Sequence, residues 1–218
     1  MRRTGRILAL DAALACCSVA LVEDGVVLAE RTARGGRGQS AVLAPMVAEV
    51  LAGGRGFDAV AVTIGPGSFT GLRSAISLAH GLATNGAALI AVTVAEALAE
   101  AAGDLAGRSL WTVIDSRRDR VFLDIAGTIQ AIALDDLPPP DGPVAVAGDA
   151  AIAVAAGLAA RGYDVRLTDA RLPQARHVAN AALHRLSGAW PTLEVQPLYV
   201  DPPEARLPAG GLRPAPLP

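Results

Sequence analysis

The most specific stretch of the chain is Gly65-Pro66-Gly67-Ser68-Phe69-Thr70-Gly71-Leu72-Arg73, set between two apolar runs. Its glycines allow close backbone approach. Ser68 or Thr70 can cap a following helix and leave free N–H groups that suit an anion. A tight strand-to-helix turn without a ligand has the same sequence requirements. A P-loop is excluded, because the spacing is wrong and the chain has no lysine, all 19 of its Lys+Arg residues being arginine. A Schiff-base or general-base lysine is excluded with it. Asp11 and Asp115 each end a short apolar run. Arg117 and Arg118 beside Asp115 could neutralise it or bind an anion, or could simply form a charged surface cluster. Gly148-Asp149 reads as a glycine turn. No metal site is expected. His177 and His184 share a helical face but stand about 10.5 Å apart along its axis, and His80 is alone in an apolar segment. Ser68, Ser74 and Ser187 lack a matching His and Asp signature, which disfavours a serine hydrolase.

The elements that must hold these groups follow from apolar periodicity and turn residues. Ile7–Leu10, Ser18–Glu23 and Val26–Arg31 read as three antiparallel strands, the last two joined by the hairpin signal Asp24-Gly25. Val42, Leu43, Met46, Val47, Val50 and Leu51 mark a helix ending at Gly53-Gly54, with Pro45 disturbing its first turn. A buried strand over 59–64, a helix over about 70–84, a strand over 88–92 and a helix to about 102 complete a first half. From Ser109 the order largely repeats: strands over 110–114, 121–125 and 129–134, a strand over 144–147, a helix over 150–160, a strand over 165–167 and a helix over 175–186. The expected domains are 1–104, a smaller lobe over 105–201, and a Pro/Gly-rich tail over 202–218 that reads as frayed.

Composition removes further classes. The net charge of −2 gives no global field toward nucleic acid. Aromatics make up 3% of the residues, and no pair is spaced as a base-stacking platform. Cys16 and Cys17 are adjacent and poorly placed to staple distant segments, which fits a reducing, cytoplasmic setting. The run after Arg6 meets Asp11 too soon for a signal peptide, and no apolar stretch reaches the ~20 residues that span a bilayer.

A duplicated unit of three antiparallel strands followed by strand–helix repeats is the plan of a ribonuclease-H-like, actin-like ATPase (ASKHA) fold, α/β in class, with a cleft between two lobes. Such a cleft would put Asp11 and Asp115 on opposite sides of a Mg²⁺-phosphate site, with Gly148 behind an adenosine. Yet Asp11 is followed by Ala12-Ala13-Leu14-Ala15, without the hydroxyls a phosphate hairpin uses.

Gly65–Arg73 resembles the signature of the TsaB (YeaZ) family. Four other stretches are similar to that family: Ile7–Leu21, Gln39-Ser40, Ile114-Asp115-Ser116-Arg117-Arg118 and Gln196-Pro197-Leu198-Tyr199-Val200. The similarity is dense over 7–118, patchy over 119–195 and brief near 196–203. Where the family has Asp-Thr-Ser, this chain has Asp11-Ala12-Ala13.

The resemblance implies a non-catalytic subunit. It would support a TsaD-like catalytic paralogue in moving a threonylcarbamoyl group to the adenosine beside the tRNA anticodon. A TsaE-like ATPase would join through the complex, and tRNA would be touched only indirectly. The resemblance also implies self-association or pairing with the paralogue through two helices of the first lobe. Leu72, Ala75, Ile76, Ala79, Leu82 and Ala83, with Val42 and Met46, are the residues expected there. No catalytic residue and no intrinsic cofactor are expected. ATP or ADP with Mg²⁺ would enter only under the alternative, a free-standing ATPase or small-molecule kinase. Peptidase activity has no nucleophile or metal site to support it.

Overall fold

The computed structural model describes residues 5–35, 38–117 and 119–200, with the backbone alone at 39 and 40. Arg118 and the tail expected over 202–218 therefore lie outside the described residues. Among the described residues ten strands form two five-stranded sheets. In sheet A, β1 (Ile7–Asp11), β2 (Cys16–Glu23), β3 (Val26–Arg34), β4 (Ala59–Gly65) and β5 (Ala88–Thr93) lie in the order β3-β2-β1-β4-β5. Sheet B contains β6 (Ser109–Asp115), β7 (Arg120–Ile125), β8 (Thr128–Ala133), β9 (Val144–Ala147) and β10 (Val165–Leu167), in the order β10-β9-β6-β7-β8. Each sheet has an antiparallel meander on one side of its first strand and parallel strands on the other. The unit is thus duplicated, as expected for the two-lobed actin-like plan.

Local chemistry accounts for most of the elements. Asp24 and Gly25 take φ of 50° and 79°, the left-handed pair that a two-residue hairpin needs. Every residue of β4 is buried, which is why its sequence shows no alternation. At the centre of sheet A the residues facing one side are large and those facing the other are alanines, with Ile7, Val22, Ile90 and Val92 around the alanine patch. Leu8, Leu10, Leu21 and Val62 pack under α1 (Gln39–Val50) and α2 (Phe69–Leu82). Ala9, Ala20 and Ala61 meet α5 (Ala175–Leu186) through its own alanines 175, 179 and 182. Small residues on both sides let the helix lie close to the sheet. The last helix, expected inside the second lobe, therefore returns to the first. The amide of Ala175, at its start, donates to the buried Ser18 hydroxyl at 2.8 Å.

The helix α3 (Val94–Ala102) stands between the sheets, and α4 (Ala151–Ala160) covers the far face of sheet B. Thr93 and Glu96 close a capping box at the start of α3. Glu96 also takes a bidentate pair from Arg185 of α5, at 2.7 and 2.9 Å, with the arginine side chain almost fully buried. Neither cysteine is in a disulfide; both are buried, and burial pushes their thiols up to about 11. Among the described residues no helix is long and apolar enough to cross a membrane.

Candidate functional site

The glycine loop leaves β4 through a cis Gly65–Pro66 peptide and enters α2 at Ser68. The Ser68 hydroxyl accepts from the Gly71 amide at 3.3 Å, so the cap is filled from within the loop. The Ser68 amide donates to the Ala13 carbonyl at 2.6 Å. A Cβ on Gly67 would collide with that same carbonyl, which explains glycine at this point. The signature loop is thereby tied to the turn between β1 and β2. On its outer side, the Arg73 guanidinium lies 3.8 Å from the Phe69 ring centroid and donates to the Tyr199 hydroxyl at 3.0 and 3.2 Å. Phe69 and Tyr199 are 59% and 52% exposed. Two of the stretches singled out in the sequence, Gly65–Arg73 and 196–200, thus meet directly. The Leu198 amide adds a bond to the Ile64 carbonyl at 2.8 Å.

The residues expected to form a partner interface divide into two sets. Leu72, Ala75, Ile76, Ala79 and Met46 are buried: Leu72 in the cluster between the lobes, the others between α1, α2 and sheet A. They point inward because α2 needs a full apolar stripe to seat itself on the sheet. Leu82 and Ala83 are half-buried, and Val42 is 39% exposed. The outward side of α1 presents Ala41, Val42, Ala44, Pro45 and Ala48, all exposed. A helix that is apolar on both faces is ordinarily covered on both.

The expected Mg²⁺-phosphate groups do not face one another across open space. Asp11 is fully buried. Its Oδ1 accepts from the Thr63 hydroxyl at 2.7 Å and the Ala13 amide at 3.2 Å, while Oδ2 has no partner. Burial drives its pKa up to about 7, against the two hydrogen bonds. Asp115 is exposed. It accepts the Arg117 amide at 2.7 Å, and its own amide donates to Asp149 at 2.8 Å. Burial raises the Asp149 carboxyl as well. Gly148 donates to the Ala170 carbonyl at 2.7 Å, and a Cβ there would strike the Val113 carbonyl, so its glycine serves strand contact. Ala13, Leu14, Leu72, Leu98, Ile114, Ala147 and Ala170 form one buried cluster between the lobes. These residues do not fit a Mg²⁺-nucleotide: one carboxylate is sealed off, the hydroxyls are absent, and apolar side chains fill the junction. Among the described residues no group of His, Cys, Asp and Glu could hold a metal. His184 instead stacks on Trp190 at 4.5 Å and meets Glu100 at 3.1 Å, while burial lowers His177.

Sequence reasoning missed the Glu96–Arg185 pair and the Arg73–Tyr199 contact. The Thr93-x-x-Glu96 spacing was the available signal for the first. No local signal joins residues 73 and 199.

The family model for TsaD, tRNA N6-adenosine threonylcarbamoyltransferase, matches residues 35–159, more than half of the chain. The chain is 38% identical over 128 residues to the tRNA threonylcarbamoyladenosine biosynthesis protein TsaB of Haemophilus influenzae, covering 53% of this chain and 51% of that protein. It is also 38% identical over 131 residues to the Escherichia coli TsaB, covering 54% and 53%. The chain belongs to the TsaB (YeaZ) family. It spans about half the length of these two relatives. A solved structure of YeaZ from Pseudomonas aeruginosa, 28% identical, superposes with a TM-score of 0.71 over 89% of this chain and 99% of that one. A second Pseudomonas aeruginosa structure, described as similar to peptidase YEAZ, gives 0.72 at 26% identity, over 90% and 99%. The glycine loop at 65–73 thus sits on a fold shared with these two structures.

Proposed function

We propose that this chain is a non-catalytic subunit of the complex that transfers a threonylcarbamoyl group to the adenosine beside the anticodon of tRNA. It docks on a TsaD-like catalytic subunit and works without a nucleotide of its own. The observation that carries the reading is the apolar filling of the lobe junction. Ala13, Leu14, Ile114, Ala147 and Ala170 occupy the region where an active relative of this plan would need open space between its carboxylates. A subunit whose cleft is filled acts through its surface. The exposed apolar side of α1 supplies a surface for a partner helix. The family membership and the names of the two relatives support the pathway. A TsaE-like ATPase and the tRNA then meet this chain through the assembly, and in isolation the same α1 face pairs with a second copy.

Light scattering of the chain mixed with its TsaD-like partner tests this. The wild type forms a mixed complex and raises transfer activity, and Val42→Glu with Ala48→Glu weakens both. Ile76→Glu is unsuitable as the probe, because Ile76 lies in the core. Absence of both co-elution and any change in transfer activity would overturn the proposal.

A further inference from the structure

A groove of about 1150 Å³ is walled by the end of β4 and the start of α3 on one lobe, by β6 and the β7–β8 turn on the other, and by the chain that follows α5. It borders the filled junction at Leu110, and no described residue of α1 lines it. Its walls are mostly apolar, and Trp190 and Tyr199 supply two aromatic surfaces. The charged lining is unequal. Arg185 is held by Glu96 through both terminal nitrogens and by the Pro191 carbonyl at 3.0 Å, so that pair is neutral and fully engaged. Asp124 and Glu194 remain. Asp124 accepts the Gly127 backbone amide at 2.9 Å and Glu194 accepts the Gln196 side-chain Nε2 at 2.7 Å; among the described residues neither has an ion-pair partner. An aromatic-lined apolar groove with unpaired carboxylates suits an extended, proline-rich segment that carries arginine, because such a segment loses little conformational freedom on docking.

The chain carries such a sequence. Residues 201–218, which follow the groove wall directly after Tyr199 and Val200, contain six prolines, Leu207, Leu212 and Leu217, and the two arginines Arg206 and Arg213. From Arg206 onward they contain no Asp or Glu. We propose that this groove is the docking site of the chain's own residues 201–218, with an arginine of that segment set against Asp124 and Glu194. At about 3.1 Å per residue in an extended proline-rich form, 18 residues reach roughly 56 Å, so length does not restrict which part of the groove is filled. Tethering gives a local concentration in the millimolar range, so a weak contact suffices. Because Tyr199 lies both in the groove wall and on Arg73, occupancy braces the signature loop from behind.

The test compares the full chain with one ending at Val200. The readouts are Trp190 emission and hydrogen exchange at the Gly127 amide, which donates to Asp124. Trp111, the only other tryptophan, is buried and acts as a constant background. A single cooperative urea transition with an unchanged m-value establishes that the shortened chain is folded, its midpoint falling only by the small amount that loss of a weak docking contact removes, and full-length Asp124→Asn provides a second comparison free of truncation. Removal of the segment is expected to red-shift Trp190 and to speed exchange at Gly127 by about threefold or more. A synthetic peptide of residues 201–218 restores both, whereas the same peptide with Arg206→Ala and Arg213→Ala does not. The inference is overturned if the two chains match in both readouts and the peptide has no effect at millimolar concentration. It is equally overturned if protection in the full chain appears only as its mass doubles in light scattering, since the occupant is then the segment of a second copy.

Discussion

Replacing Asp11 with asparagine removes an ionisable group while keeping its shape and its Oδ1 acceptor for Thr63 and Ala13. The wild-type carboxyl is fully buried, and burial moves its pKa from 3.8 to about 7. Between those values the folded chain holds a proton that the unfolded chain has released. Stability from this group is therefore complete below pH 4 and is lost as pH rises through 7. At ~1.4 kcal/mol per tenfold, the loss amounts to about 4 kcal/mol by pH 8. Asp11→Asn carries no such loss, although its buried amide, left without a partner where Oδ2 stands, costs about 1–2 kcal/mol at every pH. Asp124, Asp149 and His177 also have shifted pKa values, so the informative quantity is the difference between variant and wild type. Urea unfolding followed by circular dichroism at pH 5, 6, 7 and 8 should show that difference moving in favour of Asp11→Asn up to about pH 7 and levelling off above it, by about 3 kcal/mol over this range. A difference that stays flat would refute the reasoning, because the ionised carboxylate must then find water or a cation that the packing around Asp11 denies it.

Three further outcomes follow from the same geometry. Gly67→Ala forces the loop away from the Ala13 carbonyl and should cost about 1–3 kcal/mol in urea unfolding, with loss of partner binding beyond that expected from stability alone. Glu96→Ala removes a capping-box member and strands the buried Arg185 guanidinium; it should cost about 3 kcal/mol, and adding Arg185→Met should return part of that loss in a double-mutant cycle. Restoring hydroxyls with Ala12→Thr and Ala13→Ser should leave calorimetry with Mg²⁺-ADP silent, because Leu14, Ile114, Ala147 and Ala170 still fill the junction.

The sequence was most legible where a local rule decides the outcome. Asp24-Gly25 specified its hairpin, the uninterrupted apolar run at 59–64 gave a doubly covered strand, and the three-strand opening repeated after Ser109 gave the duplicated plan. It was least legible where two surfaces compete for one helix. The apolar stripe Leu72, Ile76, Ala79 reads equally well as a partner face or a core face, and only sheet A beneath Ile76 and Ala79, with the lobe junction around Leu72, decides for the core. The outward side of α1 carries alanines, valine and proline, whose small side chains give no contrast in periodicity, so the surface left exposed was the one the pattern described least well. Contacts of long sequence separation stayed hidden for the same reason. Nothing local sends α5 back to sheet A; what holds it there is complementarity between alanines on both surfaces, together with Ser18 receiving the Ala175 amide 157 residues away.

These hidden contacts link the groups on which the functional reading rests. The turn after Asp11 holds the signature loop through the Ala13 carbonyl, and that loop starts α2, which packs beside α1. Filling the junction with Ala13 and Leu14 thus has two effects at once: it removes the room and the hydroxyls a phosphate would need, and it packs the turn against which Ser68 sets the start of α2. A polar, solvated turn at 12–15 would hold that start less firmly, because a bond such as Ser68 N–H to the Ala13 carbonyl is worth more away from water. The filled junction and the firmly set start of α2 are therefore one structural feature. On this argument, a substitution that reopens the turn should weaken docking at α1 even though the turn itself touches no partner.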